Sequence, residues 1–286
     1  MTTFGMIYQP SFEPEGLRDA AVAAEAAGIQ ELWVWEDCFK QSGLATLVTA
    51  VASTTKLRVG VGVLPMPLRN VAILAMELAA IERMFPGRAR FGVGHGVLDW
   101  MGQMGERVAS PLTLMREYVP ALRALLAGER VDAEGRYVKL RDVKLDWPPK
   151  WPVKVLAAGE GPRTIALTGE VADGLVITAG FSPTMVSEAV AAVRASGAGP
   201  DFEVVVYLFA DFGDGSAERM ERELDDWKME GERRFAATGT DDAIEATVRE
   251  FYDAGATTVL LQSRSGETDL PGYIAATGRI AARLRA

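Results

Sequence analysis

The sequence predicts an α/β protein, a (β/α)8 TIM barrel with insertion loops before the fifth strand. Short β-type apolar runs alternate with amphipathic helical stretches along all 286 residues. There are eight such runs, each followed by a helical stretch, and a doubly wound sheet rarely needs eight regular units. The chain is 49% hydrophobic, enough to bury one barrel core of about 250 residues or two smaller domains. It shows no linker and no internal repeat, so residues 1–286 read as a single domain.

The first strand is expected at 3–8, where the chain enters an apolar pattern at once, and an alanine-rich helix follows at 14–27. Strand 31–35 puts Trp33 and Trp35 on one face, the first suited to core packing and the second to a pocket wall. Helix 44–54 follows it. Strand 57–64 is paired with helix 71–84, and strand 89–93 with helix 112–127. The second half repeats the unit: 153–157 with 163–171, 174–178 with 184–195, 203–210 with 240–254, and 257–262 with 270–285. Small side chains on these helices suit packing around a parallel barrel. Two excursions interrupt the alternation. Residues 97–111 read as a loop rich in Gly, Met and Trp, and 129–152 as a hairpin turning at Glu134-Gly135 with a Pro- and Trp-rich tail. The stretch 216–234 reads as a solvated helix face.

Composition excludes several functions. A net charge of −9 with no offsetting basic patch argues against nucleic-acid binding. No apolar run approaches the roughly 18–20 residues of a membrane span, and the N-terminus lacks a signal-type pattern, so a cytoplasmic location is expected. One histidine, His95, and one cysteine, Cys38, leave no material for a His/Cys zinc cluster or an internal disulfide, and no metal site is expected.

The most informative segment is 157–180, AAGEGPRTIALTGEVADGLVITAG, read as strand end, glycine loop, helix and strand. Gly159 and Gly161 allow a sharp turn and a close backbone approach. Pro162 suits the first helical position, with Arg163 in the first turn. Such a helix start offers free amides and a partial positive charge to a phosphate, although an ordinary βαβ turn would look similar. The next strand ends at Thr178, Ala179 and Gly180, beside that loop.

Several segments in order resemble the bacterial-luciferase-like oxidoreductases, which use FMN or the deazaflavin coenzyme F420. Residues 58–70, RVGVGVLPMPLRN, with the helix and Pro86-Gly87-Arg88 after them, resemble the family's third-strand run, with Val71 in place of its usual proline. Residues 91–96, FGVGHG, resemble its glycine-rich fourth-strand end, and 157–180 its phosphate loop and A-D-G motif. The resemblance implies a barrel with an insertion before the fifth strand, and a non-proline cis peptide that would fall at Gly62-Val63. Deazaflavin-using members often carry Asp-His after the second strand; this chain keeps Asp37 and has Cys38 for the histidine. A catalytic Glu of some members falls at Val97, so the proton chemistry of their sugar-phosphate dehydrogenases does not transfer.

Barrel sites form at the C-terminal strand ends, which gives the candidates. Coenzyme contacts are expected from Tyr8, Asp37, Gly62, Val63, His95, Gly159, Gly161, Pro162, Arg163, Thr178, Ala179 and Gly180. His95, between two glycines, would bond the pyrimidine edge of the coenzyme or transfer a proton, unless it is a surface-loop histidine. Asp37 is the acid that could shuttle a proton, or a solvated loop carboxylate. Trp35, Cys38, Trp100 and Met101 would line a substrate pocket, or pack against the barrel rim. The expected function is hydride transfer between bound F420 and a small organic substrate. An FMN-dependent monooxygenase and a non-catalytic flavin-binding barrel are the alternatives. The resemblance further suggests a homodimer through the second and third helices, which are apolar on nearly every side.

Overall fold

In the computed structural model, which describes residues 2–285, the alternation closes into a cylinder. The first half of the chain runs β1 (Thr3–Ile7), α1 (Leu17–Ala26), β2 (Glu31–Val34), α2 (Gly43–Ala52), β3 (Arg58–Pro65), α3 (Val71–Met84), β4 (Ala89–Gly94), α4 (Leu98–Gln103), α5 (Pro111–Leu126), β5 (Val131–Glu134) and β6 (Lys139–Val143). The second half runs β7 (Val155–Ala158), α6 (Pro162–Val171), β8 (Gly174–Ile177), α7 (Pro183–Ala195), β9 (Glu203–Phe212), α8 (Ser216–Asp226), β10 (Ala237–Gly239), α9 (Asp241–Asp253), β11 (Thr258–Gln262) and α10 (Leu270–Leu284). Eight strands pair in parallel in the order β1-β2-β3-β4-β7-β8-β9-β11, and β11 returns to β1 with Thr3 opposite Thr258. This is a TIM barrel.

Three strands lie outside the ring. β5 and β6 form an antiparallel hairpin before β7, where Gly135 N–H closes the turn on the Val138 carbonyl at 2.9 Å. β10 adds to the C-terminal part of β9, pairing Ala237 with Ala210. Two segments differ from the sequence reading. The 97–111 loop contains the short helix α4, and the helix read over 216–234 ends at Asp226. A six-residue helix is too short for apolar periodicity to flag, and β10 is a strand only because β9 extends beyond the barrel to meet it.

Strand alternation sorts the core into two shells. Phe4, Met6, Leu32, Val34, Val59, Val61, Phe91 and Val93 face the helices. Ile7, Trp33, Leu156, Val176, Val205, Tyr207 and Leu260 fill the cylinder. Trp33 fits because β3 presents glycines to it. A Cβ on Gly60 would lie 2.2 Å from the Trp33 ring, and one on Gly62 2.2 Å from the Tyr207 hydroxyl. That hydroxyl donates to the Gly62 carbonyl at 2.5 Å, well inside the core, so it is satisfied.

The N-terminal end of the barrel is closed by charge. Glu31, fully buried, meets Arg90 at 2.7 Å and Arg58 at 2.8 Å, and accepts the Trp33 indole N–H at 2.7 Å. Arg90 also pairs with Glu203, which Lys154 reaches at 2.9 Å. Among the described residues no helix is long and apolar enough to cross a membrane.

Candidate active site

At the end of β3 the peptide between Gly62 and Val63 is cis, at the bond the resemblance indicated. The pairing register with β4 shifts there, and Val63 packs with Trp35 and Ala158 on the mouth side of the interior cluster. β4 makes room with Gly94, where a Cβ would sit 2.6 Å from the Val63 side chain. A second cis peptide joins Cys38 and Phe39, and nothing in the sequence pointed to it.

The loop after β2 is held by Glu36. Its carboxylate caps α2 through the Gly43 N–H at 3.0 Å and receives Arg69 in two bonds of 2.6 and 2.8 Å. Arg69 also lies 3.6 Å from Glu77. Asp37 is buried; one oxygen lies 3.5 Å from Lys40, and Oδ1 has no partner within the described residues. Burial, then the Glu36 and Asp37 carboxylates, push the Cys38 thiol up from its ordinary value, so it stays protonated at neutral pH. This loop, Leu68, Arg69 and Met104 line an open cavity of about 430 Å³. Of the four expected substrate residues only Cys38 lines it. Met101 is buried beneath Gly96, where a Cβ would stand 3.0 Å from its sulfur, and Trp100 is half-buried on α4. The methionine at the cavity is Met104, from the same Gly-, Met- and Trp-rich loop as Met101.

His95 follows β4, half-buried, with Nε2 buried and unpaired. Burial lowers its pKa, so the ring is neutral at pH 7. Gln9 at the end of β1 is buried, donates to the Ser263 carbonyl at 2.6 Å, and leaves Oε1 unpartnered. Tyr8 lies apart from these groups. Its hydroxyl donates to the Glu13 carbonyl, its ring meets Phe12 edge-on at 5.3 Å, and burial pushes its pKa up to about 12. As with Phe4 and Met6, strand alternation sends it outward to the shell under the helices.

The glycine loop stands between β7 and α6. Gly161 is the N-cap residue, with no side chain to bond the first turn, and Pro162 begins the helix. α1, α4 and α8 likewise start without a side-chain cap, whereas α2, α3, α5, α7, α9 and α10 are each capped by a Ser, Asn, Thr or Asp side chain. Arg163 is exposed at this bare start. Beside it Thr178 donates to Glu160, and Gly180 bridges to Phe235. Arg233, from the segment after β9, pairs with Glu160 at 2.9 Å, donates to the Ala179 carbonyl at 3.2 Å, and lies 4.4 Å over the Phe181 ring. Burial alone would raise the Glu160 carboxyl, but bonds from Arg233 and Thr178 hold it below the usual carboxylate range. Sequence reasoning missed Arg233. It lies within a stretch whose charge pattern reads as solvated, and its partner is 73 positions away.

The mouth thus gathers Gly62, Val63, His95, the 159–163 loop and the 178–180 strand end on the C-terminal side of one barrel. Four buried polar atoms there, Gln9 Oε1, Asp37 Oδ1, His95 Nε2 and Arg233 Nε, lack partners among the described residues, although buried polar groups are ordinarily bonded. A polar ligand would complete them.

This is the architecture of the luciferase-like monooxygenase family, and the chain belongs to it, matching over residues 1–228. It is 30% identical over 213 residues to a 5,10-methylenetetrahydromethanopterin reductase from Methanolobus tindarius, covering 73% of this chain and 65% of that protein. It is 32% identical over 191 residues to an F420-dependent glucose-6-phosphate dehydrogenase from Kineococcus radiotolerans, covering 62% and 56%. The chain therefore spans less than two thirds of the length of these relatives. Among solved structures it is similar to an F420-dependent secondary alcohol dehydrogenase in complex with an F420-acetone adduct. The TM-score is 0.85, with 19% identity, over 100% of this chain and 99% of that one.

Proposed function

We propose that this protein is a coenzyme F420-dependent oxidoreductase that moves a hydride between the bound deazaflavin and a small organic substrate. The observation that carries the reading is the group of unpartnered buried polar atoms at a barrel mouth that also holds a bare helix start. The names of the F420-dependent relatives support it. The residues fit the group: Gly159, Gly161, Pro162 and Arg163 would take its phosphate, Thr178 to Gly180 would flank it, and Gly62-Val63 would back the ring. Bound there, the deazaflavin would supply the carbon that exchanges hydride. His95, neutral at pH 7, can donate or accept one hydrogen bond at the ring's polar edge, or hold a proton. Asp37 lines the adjoining cavity and keeps one carboxylate oxygen unpaired among the described residues, so it is the group there that can accept a substrate proton.

Expression in an F420-producing host, followed by mass spectrometry of the small molecule that co-purifies, tests the reading. F420 is expected, and FMN as the retained chromophore would overturn it.

The reading includes a cytoplasmic homodimer. Ile73, Met76 and Met84 of α3 are 48%, 54% and 61% exposed, along one helix face that the hairpin tail leaves uncovered. The tail reaches only the C-terminal end of α3, where Arg83 stacks on Trp147 at 5.0 Å. Light scattering at micromolar concentration should give twice the 30.8 kDa chain mass, and a single-chain mass would refute the dimer.

A further inference from the structure

We propose that the cavity beside Asp37 selects an uncharged substrate with an apolar body and a hydrogen-bond donor, and rejects phosphorylated or carboxylate-bearing molecules. The proposal rests on the oxidoreductase reading above only for the word substrate; the charge selection is a property of the cavity itself.

The cavity walls include Phe39, 68% exposed, Leu68, and Met104, 42% exposed, so much of what a ligand meets is apolar. Its charged groups are Glu36, Asp37, Lys40 and Arg69, and they already answer one another. Arg69 spends both terminal nitrogens on Glu36, in the bidentate geometry that gives strong guanidinium–carboxylate pairs, and Glu77 stands at 3.6 Å. The Glu36 hydrogen bond is the main cause that raises the Arg69 pKa. Lys40 faces Asp37 at 3.5 Å.

Three other arginines near the strand ends are occupied by carboxylates as well. Arg233 is on Glu160, while Arg219 at 2.7 Å and Arg264 at 3.1 Å share Asp211. An anion entering the cavity would find no uncommitted guanidinium there, only the Lys40 ammonium already beside Asp37, and would meet two carboxylates. Drawing Arg69 away to an anion would leave the largely buried Glu36 carboxylate without its partner, and an unpaired buried charge is costly.

What the cavity wall does hold is the Asp37 carboxylate, more than nine-tenths buried, whose Oδ1 has no partner among the described residues. An ionised carboxylate only accepts, so the complementary ligand group is a donor such as a hydroxyl. Burial is the main cause that raises the Cys38 thiol, and Glu36 and Asp37 add to it more than Arg69 takes away, in keeping with negative surroundings at that wall.

Cys38 is the only cysteine in the chain and lines the cavity, so it reports the local potential without coenzyme or turnover. The purified protein is to be labelled with methanethiosulfonate reagents of matched size, one bearing a sulfonate and one a trimethylammonium group. Each rate is normalised to a small free thiol. The anionic reagent should lag at least about fivefold, and Leu68→Lys, which adds an uncommitted cation, should shrink that lag. Equal rates, or a faster anion, would overturn the proposal. Turnover with F420 should then favour a small alcohol over its phosphate ester by at least about tenfold, and a phosphate ester turned over as well as the alcohol would also overturn it. Absence of F420 binding would instead overturn the oxidoreductase reading, while the labelling ratio would still decide the charge selection.

Discussion

The two ends of the barrel treat polar groups in opposite ways. At the N-terminal end Glu31 is fully buried, yet Arg90, Arg58 and the Trp33 indole all answer it within the protein. At the C-terminal end Gln9, Asp37 and His95 each leave a buried atom with no answer. The cost of burial is the same kind at both ends, several kcal/mol for an unpaired charge and about 1–3 for a neutral group. The first end is therefore complete as folded, and the second leaves those groups open to a ligand. Stability and function are divided along the barrel axis, as in barrels generally.

Breaking the closed end should have the largest effect. Glu31→Ala leaves Arg90 without its main buried partner and should lower unfolding free energy by about 3–5 kcal/mol, measured by chemical denaturation. A loss below about 1 kcal/mol would mean that Glu203 alone satisfies Arg90.

At the open end, charge reversal should spare stability and strike binding. Arg163→Glu would set a carboxylate against a phosphate at a helix start and should weaken coenzyme affinity at least about tenfold, or roughly 1.4 kcal/mol. The melting temperature should stay close to that of the parent, because Arg163 is exposed. An unchanged titration would remove the phosphate from this loop.

His95→Ala should lower turnover or coenzyme affinity at least about tenfold, again about 1.4 kcal/mol. The parent ring is uncharged at pH 7, and its lowered pKa places any acid limb of the rate profile below the ordinary histidine value of about 6.5. That limb should vanish in the variant. A profile of the same shape would demote His95 to a loop residue.

The smallest effect sharpens the comparison away from both ends. Glu25 ties the chain before β3 by accepting the N–H groups of Thr55, Lys56 and Leu57 at 2.8, 2.5 and 2.8 Å. Burial acts to raise its pKa, but these bonds hold it at about 2. A carboxyl depressed in the fold adds stability above its unfolded value, and that stability is lost as pH falls through the folded value. Glu25→Gln should therefore melt slightly below the parent from about pH 5 upward, with the difference closing by about pH 2. A difference that persisted at pH 2 would exclude the carboxylate as its source.

Much of this division was legible in the chain before its coordinates. The barrel, the cis bond at Gly62-Val63 and the bare start at Gly161 follow from local pattern and from motifs in register. The hairpin of β5 and β6 was legible too, whereas β10 and the placement of Arg233 were not, since each depends on a neighbour distant in sequence, and α4 is too short for apolar periodicity to flag. Gln9 meets Ser263 across 254 positions, and Arg90 meets Glu203 across 113. Tyr8 was misplaced for a simpler reason. One step along a strand changes the face, and the residue at a strand end points outward as readily as into the mouth.

The central claim is that the open end is completed by a deazaflavin, and direct titration of the purified protein with F420 and with FMN tests it. Each titration is followed by the coenzyme's own fluorescence, with Arg163→Glu run alongside. The account predicts saturable F420 binding, at least about tenfold tighter than FMN and weakened in the variant. Tighter binding of FMN, or no binding of either, would contradict it.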